Sequence, residues 1–575
     1  MPLGETASTD ASMATLDHSL QTVDSTTSVR RDHRRWVILI IASATATIAA
    51  LDSTILNVAI PTIMRDFDAT LPSVQWVIAG YSLVFASLLV TGGRLGDIFG
   101  HRRIFIVGAS LFGIGSLVAA LSQSVVQLVV GEAMIEGMGA ALMMPAAIAI
   151  LSKSFDGHER AMAFAIWGAF AGAGAVFGPV VGGLLTSYAS WRWGFLINVI
   201  VVPIVIAAAV LFIPRLQRSG HRQRLDISGA LLLATGMALL LFTVSEGERY
   251  GWLRPKRAFT LRGLDVWPQS NPISVVVIAC AASIVLLGAF YRVSRHKERN
   301  DADPLFEFEQ FRKRAFRVGM IVTLVMGVGQ VTIMFVLPVF LQEGRGLSAS
   351  QVGLWLLPVG AIYMASTFLG GRLARRVALR TLIRIGLLLW ACAYFYLASV
   401  ISPGLTFLTV VPMYLLFPLG AGFVIPQLAN VVLADVEPAK VGAGGGAHTT
   451  ARQMGISLGA ATTSVLLSAK TITAGVTKVN DAGALPAALK ARAVSALRAD
   501  GVTFEPPSGA TAAQASALRR IFNESLVSGS QWAFLFAAIT LLLALGLSMF
   551  IPRGRDPHRS GRERDPNATT ARTAH

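Results

Sequence analysis

The sequence predicts an all-α polytopic membrane protein with fourteen transmembrane helices: two six-helix bundles plus two additional central helices. Three observations predict it. Of 575 residues, 54% are hydrophobic and only 14% are charged, where a soluble chain carries about 25% charged residues. The apolar residues fall into long runs, and about 20 such residues as a helix cross about 30 Å of hydrocarbon with every backbone group satisfied internally. A short basic turn, "GGRLGDIFGHRR" at Gly92–Arg103, recurs in shorter form as "GGRLARRVALR" at Gly370–Arg380, at matching places in two halves. Internal repeats of this kind mark secondary transporters.

The first six predicted spans are Trp36–Ile60, Ser73–Gly93, Ile104–Leu121, Val126–Leu151, Ala161–Thr186 and Gly194–Ile213. The central pair is Ile227–Ser245 and Ile273–Tyr291, and the last six are Val318–Leu341, Gln351–Gly370, Thr381–Val400, Leu405–Ala434, Val441–Ala469 and Gln531–Ile551. The expected division is a disordered cytoplasmic tail at 1–35, an N-terminal bundle at 36–213, a linker with two spans at 214–317, a C-terminal bundle at 318–551 and a cytoplasmic tail at 552–575. The tail at 1–35 is too long and polar for the front of a signal peptide. The connection 470–530 is Ala-rich and polar, and its sequence leaves short helices and disorder both open.

Net charge is +17. The basic residues gather in the connections after even-numbered spans, among them Arg94, Arg102, Arg103, Lys153, Arg160, Arg215, Arg372 and Arg375. By the positive-inside rule these connections and both termini face the cytoplasm. This distribution, with no nucleic-acid module, argues against a nucleic-acid partner. One connection dissents: "ERYGWLRPKRAFTLRGLDVWP" belongs outside yet holds Arg249, Arg254, Lys256, Arg257 and Arg262. Cys280 and Cys392 lie within apolar runs and build neither a disulfide framework nor a metal site.

At the level of motifs a resemblance becomes specific. "GGRLGDIFGHRR" resembles the loop motif of the major facilitator superfamily, with Gly93, Leu95, Asp97, Gly100 and Arg102 matching, Ile98 standing where a basic residue is usual, His101 matching only in part, and Arg103 counted with the gate motif. "LDSTILNVAIP" at Leu51–Pro61, "WRWGFLIN" at Trp191–Asn198 and "ARQMGISLGAA" at Ala451–Ala461 resemble signatures of its fourteen-helix drug:proton antiporters. "GAGAVFGPVVGG" at Gly172–Gly183 resembles their fifth-helix antiporter motif through Gly174, Gly178, Pro179, Gly182 and Gly183. The resemblance implies the family's fold, export of drugs or other amphipathic compounds driven by inward proton movement, and a cytoplasmic gate latch at Asp97, for which the cluster with Arg94, Arg102 and Arg103 can supply reversible ion pairs between the halves. Ala133 occupies a place where the family often has an arginine, and Arg375 stands at the Asp97 slot of the second half, so those two copies depart from the pattern.

The residues themselves point to where the chemistry lies. Within the spans the ionisable residues are Asp52, Glu132, Glu136, His448 and Arg452, and an intramembrane charge is a functional-site candidate by default. At about 1.5 Å per residue, Asp52 lies about 12 Å, Glu132 about 9 Å and Glu136 about 15 Å below the outer ends of their helices. The three are therefore expected to form one acidic cluster for proton coupling and substrate. Glu132 and Glu136, four apart, share a face, and two like charges there favour retention of a proton. Pairing with internal cations is the structural alternative. Arg452, about 17 Å into its helix, reads first as a lock between bundles through a carboxylate and second as a cavity residue. His448 lies one turn earlier on the same face. Gly174, Gly178 and Gly182 form a smooth strip for close helix approach, and Pro179 can bend the helix.

No catalytic constellation and no phosphate-binding loop appears, so the expectation is a non-enzyme with no cofactor, using the proton gradient as its energy source. Expected partners are a small amphipathic substrate, cations included, protons and the lipid bilayer, with the chain acting as a monomer in the cell membrane. The alternatives are an exporter of lipid or an endogenous metabolite with the same fold, and a non-transporting membrane sensor or scaffold.

Overall fold

The computed structural model describes residues 34–552 except 53, 57–58, 60–61, 70, 215–224, 262–263, 301, 438–439, 484, 500–503 and 505. Most of both expected tails, with Arg215, Arg249's side chain and Arg262, therefore lies outside the described residues. Long helices occupy all fourteen predicted positions. They are α1 (Arg34–Leu56), α2 (Leu71–Phe99), α3 (His101–Ala120), α4 (Val125–Ser154), α5 (Gly157–Tyr188), α6 (Arg192–Phe212), α7 (Ile227–Tyr250) and α8 (Val275–Arg299). After the linker come α9 (Arg314–Gly344), α10 (Ala349–Leu373), α11 (Leu379–Val400), α12 (Phe407–Leu433), α13 (Val441–Asp481), the short α14 (Ala487–Ala499) and α15 (Ala512–Ser548). Among the described residues, 12 stretches are long and apolar enough to cross a membrane by length and composition. α5 contributes only the shorter apolar piece Met162–Gly174. α13 is diluted by Gly, Thr, His and Arg.

Local sequence sets the helix starts. Ser348 and Thr511 form capping boxes with Gln351 and Gln514 ahead of α10 and α15, satisfying amide donors that a helix start leaves open. Asp226 caps α7: its carboxylate accepts from the Gly229 amide at 2.7 Å and from Lys297 Nζ at 2.6 Å. Burial opposes ionisation there, but the Lys297 and Gly229 hydrogen bonds hold this carboxyl below its ordinary range. The Leu305 amide donates to the other oxygen at 3.3 Å, so one carboxylate ties together the ends of α7, α8 and the linker.

In the first half, α3 packs on α4 and α6, and α2 packs on α4. In the second, α11 packs on α12 and α15, and α9 packs on α13 and α15. The halves meet along α2 with α13 and along α5 with α10 and α12, while α8 reaches the bundle through α7. Two features differ from the sequence expectation. The dissenting basic connection is not plain loop: Phe259–Leu261 (β1) pairs antiparallel with Leu264–Trp267 (β2), a small exception to the all-α reading. The 470–530 connection is largely helix. α13 is 41 residues long and α15 is 37, so at 1.5 Å per residue they extend about 60 Å and 55 Å, well beyond the bilayer core. Their projecting ends and α14 enclose Val479, Leu489, Leu497, Leu518 and Phe522, which continue the apolar core of the second half. The sequence reads as polar because only one stripe of each projecting helix is buried.

Phe522 is fully buried, and its ring stacks on Phe504 at 5.4 Å between centroids. Phe522→Ala should therefore cost the lobe about 3–5 kcal/mol and speed tryptic cleavage at Lys490 and Arg492 at least tenfold. Unchanged cleavage would show that the lobe does not depend on this packing.

Candidate functional site

α1, α3, α4 and α6 converge on one buried polar point. Asp52 comes from α1 and Glu132 and Glu136 from α4. One oxygen of each carboxylate lies within 4.8 Å of the others, and the residues are 2%, 1% and 0% exposed. Asn198 of α6 lies among them. Its amide nitrogen donates to Asp52 Oδ1 at 2.8 Å and approaches Ser116 Oγ of α3 at 3.2 Å and Glu136 Oε1 at 3.3 Å. The remaining oxygens, Asp52 Oδ2, Glu132 Oε2, Glu136 Oε2 and Asn198 Oδ1, have no hydrogen-bond partner among the described residues. No lysine or arginine pairs with the three acids among the described residues, so the pairing with internal cations weighed from sequence is absent there. The all-oxygen donor set also suits a hard cation.

The backbone explains the convergence. From Val129 to Glu136, α4 widens into a π-helix, a local form frequent at functional sites. Its i→i+5 bonds bring the i,i+4 pair Glu132 and Glu136 nearer one line than α geometry does. Small residues let α3 approach this widened segment. A Cβ on Gly115 would meet Glu136 N at 2.5 Å and Gly131 O at 2.7 Å, and one on Gly131 would meet Ala119 N at 2.6 Å. A Cβ on Gly80 of α2 would meet the Cβ of Ala133 at 2.9 Å. Ala133 is thus closed against α2, which leaves no room for the arginine often found at that place. Sequence reasoning quoted Asn198 only within a motif and missed Ser116. A lone Asn in an apolar run was the available signal for the former.

The glycine strip of α5 lies against α1, the helix that carries Asp52. Cβ atoms on Gly174 and Gly178 would strike Thr47 O and Thr54 Oγ1, and one on Gly182 would meet Ile55 Cα at 3.0 Å. Thr47 Oγ1 donates to Phe170 O at 3.1 Å, tying the two helices. α5 runs unbroken through Pro179, whose side chain is outside the described ones, and Gly183 is half-buried.

Asp97 lies at the end of α2 that faces the start of α13. Its Oδ1 accepts from the Gly442 amide at 3.2 Å and its Oδ2 from the Ala443 amide at 3.0 Å. Beside it, Gly93 is in backbone contact with Gly442, and Gly446 with Leu89. The sequence reading expected ion pairs between the halves with the neighbouring arginines. The structure corrects that: Asp97 instead caps a helix start, whose free amides and positive dipole end favour a carboxylate. Arg102 donates to Val210 O at 2.5 Å, Arg103 is exposed, and Arg94 faces Asp303 at 3.7 Å. Gly100, at φ 94°, makes the turn into α3. His101 Nε2 is 3.4 Å from Asp97 and 2.8 Å from Lys153 Nζ, a chain that spacing alone did not reveal.

His448 is buried, with Nε2 unpartnered among the described residues. Arg452 forms no ion pair with a described carboxylate; the groups it acts on electrostatically are the buried Tyr363 of α10 and His448, one turn earlier on its own helix. The expected carboxylate lock is therefore not made. Asp52 sits on α1 and both glutamates sit in the Val129–Glu136 segment of α4, whereas α13 meets the first half mainly through α2 and the later Gly137–Ser154 part of α4.

Comparison with known proteins agrees with this architecture. The family model of the Major Facilitator Superfamily matches residues 42–460. The puromycin resistance protein pur8 of Streptomyces alboniger is 33% identical, over 82% of this chain and 89% of its own. The tetracenomycin C resistance and export protein of Streptomyces glaucescens is 28% identical, over 94% of this chain and 95% of its own. The crystal structure of the human organic anion transporter MFSD10 (TETRAN) superimposes with a TM-score of 0.54 at 14% identity, covering 89% of this chain and 99% of that one. From the matched span and these relatives together, this chain belongs to the Major Facilitator Superfamily.

Proposed function

We propose that this protein exports antibiotics or other small amphipathic compounds, cations among them, in exchange for protons, by alternating access between its two six-helix halves. The observation that carries the reading is the Asp52–Glu132–Glu136 cluster with Asn198 at its centre. Three like charges no more than 4.8 Å apart would repel by roughly 3 kcal/mol or more per pair at an effective dielectric of about 20. The sum approaches the whole stability of a domain. The cluster is therefore held by shared protons, by a bound cation, or by both in turn. That competition is what an exchanger of protons for cationic substrate requires. Drug-resistance and export proteins among the relatives support the same reading.

In this reading both termini face the cytoplasm, as the basic connections indicate, and the chain works as a monomer without a cofactor. The Asp97 cap and the Gly93–Gly442 contact close the cytoplasmic ends of α2 and α13. Proton or substrate binding at the cluster changes how α1 and α4 pack, and α5 slides on α1 along its glycine strip. Reopening toward the cytoplasm then needs the Asp97 cap to break.

Three outcomes follow. Asp52→Asn and Glu136→Gln should each reduce pH-driven dye efflux from everted vesicles to background, with expression kept; unaltered efflux in both would end the proton-coupling role. Gly178→Leu, which drives a side chain into Thr54 and Leu51, should block efflux while proton binding at the cluster persists. Removing a helix cap costs about 1 kcal/mol, so Asp97→Ala should raise cytoplasmic opening about fivefold. Maleimide labelling of Ile148→Cys, in a Cys280→Ser, Cys392→Ser background, reads that opening, because Ile148 is buried against Gly445.

A further inference from the structure

The basic hairpin that breaks the charge pattern sits over an apolar groove. The groove, about 360 Å³, lies between α2, α7 and α8, and Trp76, Phe242, Phe259, Val275, Ile278 and Ala282 shape it. No charged side chain lines it. The Trp76 and Phe242 rings stack at 6.2 Å, and Phe259 meets Phe242 edge-on at 5.8 Å. Phe242 lies eight residues before the end of α7, and Ala282 seven after the start of α8, so the groove descends about 10–12 Å. That is most of one leaflet of a core about 30 Å thick. It opens towards lipid at Ile278, which is exposed.

The backbone that carries the hairpin's charges is tied to the helix ends beside this groove. The Lys256 amide donates to Tyr250 O at 2.9 Å, and the Ser274 amide donates to Leu253 O at 3.0 Å. Ser274 caps α8 immediately before Val275 of the groove. Arg254, Lys256 and Arg257 are all exposed, and none of them forms an ion pair among the described residues. The described acid of the hairpin is Asp265, also exposed, on β2 opposite Thr260. A cationic mouth above an apolar slot of acyl-chain depth is complementary to one kind of molecule.

We infer that the α2–α7–α8 groove and the hairpin residues Arg254, Lys256 and Arg257 bind one phospholipid with a net negative headgroup. Its phosphate lies among the three cations, where basic residues near a membrane surface attract anionic lipid, and one acyl chain fills the groove. This occupant explains why Arg254, Lys256 and Arg257 stand in a connection that the charge pattern of the other basic connections places on the opposite face. It also fastens the additional helix pair to α2 of the first half.

The test uses the full-length protein in detergent, supplied with equal amounts of dioleoylphosphatidylglycerol and dioleoylphosphatidylcholine, with retained lipid read by native mass spectrometry. Wild type should keep one more phosphatidylglycerol than the Arg254→Gln/Lys256→Gln/Arg257→Gln variant, whose affinity at that site falls about tenfold or more. Ala282→Phe, which fills the groove and leaves the charges alone, should lose the same lipid. Glycerol phosphate, a headgroup without chains, should not displace it. Equal phosphatidylglycerol retention in wild type and the triple variant would overturn the inference. So would unchanged retention in Ala282→Phe, or displacement by glycerol phosphate, which would mark a plain anion site. Should the triple variant not fold, the Ala282→Phe arm decides.

Discussion

Three carboxylates enclosed within 4.8 Å of one another, away from water, set the terms for the rest of this molecule. Such a group is tolerable only while its charge is shared or cancelled, and the described structure supplies no internal cation to cancel it. What it supplies is one amide, Asn198, donating to Asp52 and Glu136, and a set of oxygens left without partners. A buried polar network left partly unsatisfied is costly. The cost is met by whatever enters the site, which makes the cluster a place of exchange.

Close helix contact makes this possible. Lipid gives helices no hydrophobic reason to associate, so contact rests on small residues and backbone proximity. Gly115 and Gly131 bring α3 onto the π segment, Gly174 and Gly178 bring α5 onto α1, and Gly93, Gly442 and Gly446 bring α2 onto α13. The first two pairings surround the acids, and the third closes the bundle at one end. Smooth strips of this kind hold helices near each other with few interlocking side chains, so they permit sliding.

The linker joins these parts into one network at the end of the bundle where α2 meets α13. Asp226 receives Lys297 of α8 and the Leu305 amide. Asp303 faces Arg94 of α2, and Glu307 pairs at 2.6 Å with Lys440, the residue that starts α13. The segment after α8 thus reaches both partners of the Asp97 contact. Phe306, Phe308, Phe311 and Phe316 pack as an aromatic cluster beneath it.

Hydropathy alone determined that the chain crosses a membrane, and the positions of its fourteen long helices, because a bilayer demands one length and one composition from every span. Local pattern also determined the glycine strip, and that Asp52, Glu132 and Glu136 lie within about 6 Å of one another along the helix axes, since position follows from helix rise. Tertiary structure decided which faces meet. It placed Asn198 and Ser116 among the acids, gave Asp97 two backbone amides 345 and 346 residues away in place of arginines, and left Arg452 without its expected carboxylate. It also folded 470–530 into a helical lobe. The division has a physical cause: span and depth are properties of one helix in lipid, whereas a partner is set by how helices rotate and pack, to which distant residues contribute equally.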